Sequence, residues 1–189
     1  MSPTPRKLEI ITAASTLFKD KGYSAVTMRD IAKAMGIKAA SLYNHIKNKE
    51  EILTFIIISL AEEFIKRLDE IKKSDANCVE KLKQIIALHV DIASKNTNGM
   101  ASLNNDWMHL KDQLDHYLIL RVDYENSFRE IIKDGIVKNE IKNLNPDIML
   151  FSILSTLRSL YIWIPQKEDM ELSVLAFNLS EVLLKGINK

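Results

Sequence analysis

The sequence predicts an all-α protein, with a small three-helix unit in front of a larger helical body. Three observations carry that prediction. Only 5 Gly and 4 Pro occur in 189 residues, and no Pro lies between Arg6 and Asn145. Proline breaks helix interiors and glycine marks turns, so this scarcity favours long helices over a strand-rich sandwich. Hydrophobic residues make up 47% and charged residues 27%, enough for a sizeable core and too apolar for global disorder. Apolar residues also recur at helical spacing along much of the chain.

The elements follow in order. Ile10, Ala14, Leu17 and Phe18 fall at i, i+4, i+7 and i+8, one face of a first helix from about Arg6 to Lys21. Gly22 follows its last turn, where a left-handed cap suits glycine. Thr27 with Asp30 three residues on is an approximate capping box for a short second helix, which turns Ile31 and Met35 inward before Gly36 breaks it. A third helix begins near Ala39 and buries Leu42 and Ile46. A long fourth helix runs from about Lys49 to Lys73, and a fifth from Val79 to Lys95 has Leu82, Ile85, Ile86, Leu88 and Ile92 apolar. The sixth lies near Met100 to Leu110, and the seventh near Leu114 to Lys133, with Gly135 just beyond. Asn145 caps the eighth, Pro146 is its first residue and Pro165 ends it. A ninth spans roughly Met170 to Lys185. No internal repeat or low-complexity tract interrupts these nine or so helices.

Charge is unevenly spread. The net charge is only +1, yet residues 1–50 hold nine Lys/Arg against four Asp/Glu. A basic front on an acidic body suggests a polyanion partner at one end. The second and third helices, joined by a glycine-containing turn, form a helix-turn-helix candidate. A recognition helix enters a major groove about 12 Å wide, so its leading residues should be small or able to bond base edges. Ala39, Ala40 and Ser41 are small, Lys38 can donate to guanine or phosphate, and Ala40 can meet a thymine methyl. Tyr43 and His45 suit phosphate contacts, as does Lys49 at the start of the next helix. Thr27 can both cap and donate, and Arg29 and Asn44 complete the candidate DNA-binding set.

Residues Ala25 to Leu53 resemble the DNA-binding segment of the tetracycline-repressor (TetR) family of bacterial regulators. The match rests on Thr27, Ile31-Ala32, Gly36-Ile37, Leu42-Tyr43, His45 and Lys49-Glu50-Glu51-Ile52-Leu53, with Ile10, Ala13-Ala14, Leu17-Phe18 and Gly22-Tyr23 upstream. Two positions depart from the family pattern. Ile46 replaces a phenylalanine, and Ala39-Ala40 replace hydroxyl or glycine residues, which bears on base preference. The resemblance implies a helix-turn-helix DNA-binding domain at 1–48 and an effector-binding and dimerisation domain at 49–189. It further implies a cytoplasmic homodimer that reads a palindromic operator on double-stranded DNA and is released by a small-molecule effector.

The body fits such a role. Ile148, Leu150, Phe151, Ile153, Leu154, Leu157, Leu160, Tyr161, Ile162 and Trp163 leave the eighth helix little polar face, and Leu172, Leu175, Phe177, Leu179, Val182 and Leu183 do the same in the ninth. Helices so apolar need cover on nearly all sides, which a partner subunit provides in a four-helix bundle. Candidates for a hydrophobic effector pocket are Leu88, Ile92, Leu103, Trp107, Leu110, Tyr117, Leu120, Arg121, Tyr124, Phe128, Arg158 and Tyr161. The same residues also fit a filled core. Arg121 and Arg158, set in apolar helices, each want an anionic partner from the protein or from a ligand. Tyr124-Glu125, Phe128-Arg129, Gly135 and Trp163 are similar to family members that respond to fatty acyl-CoA.

Other chemistries find less support. The single cysteine, Cys78, excludes an intramolecular disulfide framework. His109, Asp112 and His116 would share a helix face but straddle a predicted helix boundary, so neither a metal nor a cofactor is expected. No nucleophile or phosphate-loop motif occurs, which argues against an enzyme. No basic-then-apolar leader opens the chain, and the apolar run Ile52–Ala61 is shorter than the roughly 20 residues that span a bilayer, so no membrane partner is expected. A ligand-responsive repressor leads. The alternative is a DNA-binding regulator controlled by a protein partner.

Overall fold

The computed structural model describes residues 3–167 and 170–186, which form nine helices and no strand among the described residues. They are α1 (Pro5–Lys21), α2 (Met28–Ala34), α3 (Ala39–Leu42), α4 (Lys49–Lys73), α5 (Cys78–Lys95), α6 (Thr97–Asn105), α7 (Leu114–Val137), α8 (Pro146–Arg158) and α9 (Leu172–Lys185). A further helical turn, Leu160–Trp163, follows α8. The chain divides into two compact units. One comprises the chain up to Ala61 together with Asn98–Leu118, and the other Glu62–Thr97 together with Ile119 onward.

In the first unit, Ile10, Ala14, Phe18, Val26, Ile31, Leu42, Ile46, Ile52 and Leu53 are buried into one core. Gly22 ends α1 at φ 80°, a backbone state a Cβ would strain, and its N–H donates to the Phe18 carbonyl at 2.8 Å. Gly36, at φ 66°, makes the tight turn from α2 to α3, and the Ile37 N–H reaches back to the Ala32 carbonyl at 3.0 Å. In the second unit, α5 is the central helix. It packs against α8, α9 and the turn Leu160–Trp163, and buries Leu82, Ile85, Ile86, Leu88, Val90 and Ile92.

Four boundaries differ from the sequence expectation. The third helix is a single turn, continued past Leu42 by hydrogen-bonded turns. The sixth starts at Thr97 and stops at Asn105, with two 3-10 turns, Trp107–His109 and Lys111–Gln113, where a helix to Leu110 was predicted. Asp106 ends it: its N–H makes the last bond to the Ser102 carbonyl at 2.9 Å, and its carboxylate turns to the Tyr23 N–H. Gly135 lies inside α7 rather than beyond it, because the missing side chain leaves room for Ile141 and Cys78. The eighth helix breaks at Ser159, whose hydroxyl donates to the Ser155 carbonyl at 2.7 Å and whose N–H closes a tighter turn on Thr156.

Candidate DNA-binding surface and effector core

The capping box at α2 is formed in full. Thr27 Oγ1 accepts from the Asp30 N–H at 3.2 Å, and the Thr27 N–H donates to Asp30 Oδ2 at 2.8 Å. The Thr27 hydroxyl also donates to that carboxylate at 2.6 Å. These Thr27 bonds hold the Asp30 carboxyl below its ordinary range. The box fixes the start of α2, and Gly36 then aims α3. Leu42 and Ile46 are sealed inside while Lys38, Ala40, Ser41, Asn44 and His45 are exposed and Ala39 is half-buried. Tyr43 stands out at 57% exposure, too much for a core ring and suited to a partner. Arg29 and Thr27 are exposed as well.

Lys49 is placed differently from the rest of the candidate set. Its ammonium donates to the Tyr23 and Val26 carbonyls at 2.7 and 2.8 Å and sits 4.1 Å from the Tyr23 ring centroid. Partial burial lowers its pKa, against the opposing pull of Asp106. Two of its three donors therefore tie the loop after α1 to the start of α4. At that start, Asn48 Oδ1 accepts from the Glu51 N–H at 2.8 Å, and Glu51 pairs with Lys7 at 2.6 Å.

His109 lies in the 3-10 turn Trp107–His109, outside the helix that holds His116, in keeping with the helix boundary expected between them; it stacks on Tyr23 at 5.1 Å, and its Nε2 lies 3.4 Å from Ser24 Oγ. Among the described residues no three His, Cys, Asp or Glu side chains come together as a metal site.

The effector candidates divide between the two units. Leu103, Trp107, Leu110 and Tyr117 belong to the first, where Leu110 is fully buried and the Trp107 and Tyr117 rings lie 6.0 Å apart. Leu88, Ile92, Tyr124, Phe128 and Tyr161 are buried in the second, and Leu120, Arg121 and Arg158 are half-buried there. Both arginines find a protein carboxylate: Arg158 Nη2 meets Glu125 Oε1 at 2.5 Å and Arg121 Nε meets it at 3.3 Å. Burial pushes the Glu125 carboxyl up, but the two guanidiniums outweigh it and the net shift is downward.

At the centre of the second unit sits a polar pair the sequence reading missed. His89 Nε2 and the Tyr124 hydroxyl are 2.8 Å apart, with the Phe64 ring 4.6 Å from the imidazole and 5.7 Å from the phenol. His89 is 4% exposed, and its Nδ1 has no hydrogen-bond partner among the described residues. Leaving such an atom unmatched costs about 1–3 kcal/mol. Burial, aided by the Arg158 charge, pushes the His89 pKa down to about 3. Burial raises that of Tyr124, so both groups are neutral near pH 7. The available signal was a histidine four residues beyond Ile85 on an apolar helix face. A cleft of about 410 Å³ between α4 and α7, lined by Ile65, Leu68, Asp69, Lys72, Asp123, Tyr124 and neighbours, has the same tyrosine in its wall. The Lys72–Glu130 ion pair also belongs to that lining.

The last helices expose what the sequence marked as apolar. Ile148 is 67%, Phe151 74% and Phe177 64% exposed, joined by Ile162, Val174 and Val182, while Leu150, Ile153, Leu154, Leu157 and Leu175 face inward. By length and composition alone, Pro146–Gln166 could cross a bilayer, and a third of its most apolar window is buried. The break at Ser159 and the Arg158–Glu125 pair interrupt that segment.

The description "Bacterial regulatory proteins, tetR family" matches residues 10–54, and "Tetracyclin repressor-like, C-terminal domain" matches residues 75–187. The chain is 27% identical over 190 residues to the fatty acid metabolism regulator protein of Bacillus subtilis (strain 168), covering 97% of this chain and 96% of the relative. The transcriptional repressor KstR2 of Mycolicibacterium smegmatis is 24% identical over 157 residues, covering 82% and 77%. Among solved structures, the ketosteroid transcriptional regulator KstR2 of Mycobacterium tuberculosis superposes with a TM-score of 0.91 at 21% identity, covering 100% of this chain and 97% of that one. FadR of Bacillus subtilis in complex with stearoyl-CoA gives a TM-score of 0.72 at 26% identity, covering 96% and 99%. These relatives are transcriptional regulators rather than enzymes.

Proposed function

The chain belongs to the TetR family of bacterial regulatory proteins, and from that premise we propose that it is a ligand-responsive repressor whose effector is an acyl-CoA. Residues 1–48 read DNA, and residues 49–189 bind the effector and dimerise. The observation that carries the DNA half is the exposed stretch Lys38–His45 over buried Leu42 and Ile46. Small residues lead that stretch into a groove, Lys38 and Ser41 reach base edges, and Tyr43 and His45 reach phosphates. Lys49 acts chiefly by holding the loop that carries Val26 and Thr27, with one ammonium proton left for phosphate.

A homodimer through α8 and α9 would cover Phe151, Ile148 and Phe177, each contributing about 1.5–3 kcal/mol once buried. Two recognition turns about 34–36 Å apart would then meet successive major grooves of a palindromic operator. The acyl-CoA effector is supported by the full-length similarity to the fatty acid regulator and by the apolar core behind Arg121 and Arg158. Effector binding shifts the dimer away from the DNA-competent spacing. The protein works in the cytoplasm, where both operator and acyl-CoA are found.

Selection of binding sites from random duplex DNA tests the first half: an inverted repeat is expected, and an asymmetric or unrelated collection would contradict it. Adding stearoyl-CoA to the selected complex tests the second. Release of the DNA is expected, and retention at saturating ligand would favour control by a protein partner.

A further inference from the structure

By sequence the stretch Asn98–Leu118 lies far beyond the helix-turn-helix, yet it packs into the same unit as α1 to α3. It is tied there at several points. Asn98 Nδ2 donates to Thr16 Oγ1 of α1 at 2.9 Å, and Lys111 Nζ pairs with Glu50 in the first turn of α4 at 2.7 Å. Between those ties, the end of α6 closes on the loop from α1 to α2. The Asp106 carboxylate accepts the Tyr23 N–H, and the His109 ring stacks on the Tyr23 ring. The carbonyls of Tyr23 and Val26 take the Lys49 ammonium at 2.7 and 2.8 Å. The Val26 N–H turns back to the Tyr23 carbonyl at 3.3 Å, and Thr27, the cap of α2, comes next. The loop is thus held by its donor at Asp106 and by its acceptors at Lys49. Asp106 is half-buried, and burial pushes its carboxyl pKa up against the pull of its hydrogen bonds, His109 and Lys49. A charge-assisted bond shielded from water is among the stronger ones, so this anchor carries more than its single bond suggests.

We propose that Asp106 is a positioning residue for DNA binding: through the Tyr23 N–H it fixes the loop from α1 to α2, and with it the Thr27 cap that starts α2 and aims Lys38–His45 at the duplex. The inference rests on the DNA-contacting role given above to that stretch and is independent of the effector's identity. Asp106 acts through Tyr23 and is not itself a DNA contact, since a carboxylate turned toward phosphate is repelled. His109 and Lys111 brace the same junction from the turns that follow. The reading head is therefore completed by the end of α6, and residues 1–48 alone lack one of the two anchors of their own loop.

Two variants of the full chain separate the possible roles of this side chain. Asp106→Leu keeps its size and loses the acceptor, whereas Asp106→Asn loses the charge and keeps an oxygen for the Tyr23 N–H. Fluorescence anisotropy is read on a selected inverted-repeat duplex and on an unrelated duplex of equal length, at a temperature where urea melts show each variant folded. Asp106→Leu should weaken binding to both duplexes by about 10- to 100-fold, because losing the bond lowers the population of the aligned loop. Asp106→Asn should stay within about threefold of wild type. Hydrogen exchange followed by mass spectrometry should show the loop 22–27 exchanging at least about 10-fold faster in Asp106→Leu, with α5 unchanged and the Asn variant like wild type. Asp106→Ala removes the carboxylate without adding bulk and stands in for leucine if leucine unfolds the chain. Wild-type affinity in Asp106→Leu, equal losses in the Leu and Asn variants, or weakened binding with the loop still protected overturns the inference while leaving the DNA-contacting role of Lys38–His45 intact. Failure of wild type to bind either duplex defeats that role, and the inference with it.

Discussion

At the residue scale, two small polar arrangements carry much of the account. The Thr27–Asp30 capping box fixes the entry to α2, and losing an N-cap hydroxyl costs about 1 kcal/mol. Thr27→Ala should therefore lower the thermal midpoint by a few degrees, as read by circular dichroism, and loosen DNA binding without changing base preference. His89 makes a pH prediction. Burial has pushed its folded pKa down to about 3, while an unfolded histidine titrates near 6.5. As the pH falls through about 6.5, the unfolded chain takes up a proton that the folded chain refuses, so stability present above that value is progressively lost. At about pH 5 the loss from this group alone is about 2 kcal/mol. Urea midpoints at pH 7 and pH 5 should show it in wild type, and the His89→Leu/Tyr124→Phe variant should lack that share of the pH dependence. An unchanged dependence in the variant would mean the histidine is not the buried, neutral group described. For DNA, Tyr43→Ala should weaken binding to all sequences alike, whereas Ser41→Ala and Lys38→Ala should shift the selected base preference.

At the scale of single helices, the legible parts were those written in strong local signals. The bounds of α4 fall at Lys49 and Lys73 as its charge and apolar pattern require, and Asn145-Pro146 opens α8. What the sequence concealed were choices decided by tertiary neighbours. Gly135 reads as a terminator, yet α7 runs through it to Val137 because Cys78 and Ile141 close over the missing side chain. Gly135→Ala would bring a Cβ into overlap with Ile141 and to 2.9 Å from Cys78 Cβ. Such overpacking should cost about 1–3 kcal/mol against helix propensity gains of under about 1, so the variant should unfold at lower urea. A gain in stability would mean the site relaxes freely. Ser159 and Asp106 end or break helices through hydrogen bonds that no periodicity encodes. The exposure of Ser41 and Tyr43 was readable because it follows from the spacing of the buried Leu42 and Ile46. Lys49 was less so, since its two carbonyl acceptors come from the loop after α1. The His89–Tyr124 pair joins α5 to α7, 35 residues apart in sequence, and only the fold reveals it.

At the scale of the whole molecule, the proposal joins a DNA-reading front to an effector-sensing and dimerising body. The exposed apolar face of α8 and α9 implies that Phe151→Arg with Phe177→Arg yields a monomer in light scattering, and that this monomer loses operator affinity by at least about 100-fold, as expected when paired half-sites no longer act together. A variant that stays dimeric would place the two-fold contact elsewhere. The central claim, that ligand binding in the body controls DNA binding at the front, has its most direct test in fluorescence anisotropy of a selected inverted-repeat duplex titrated with stearoyl-CoA. A saturable fall in operator affinity of about 5- to 150-fold is expected, the range of ordinary allosteric coupling. An operator affinity unmoved by saturating ligand, with ligand binding verified in the same sample, would contradict it.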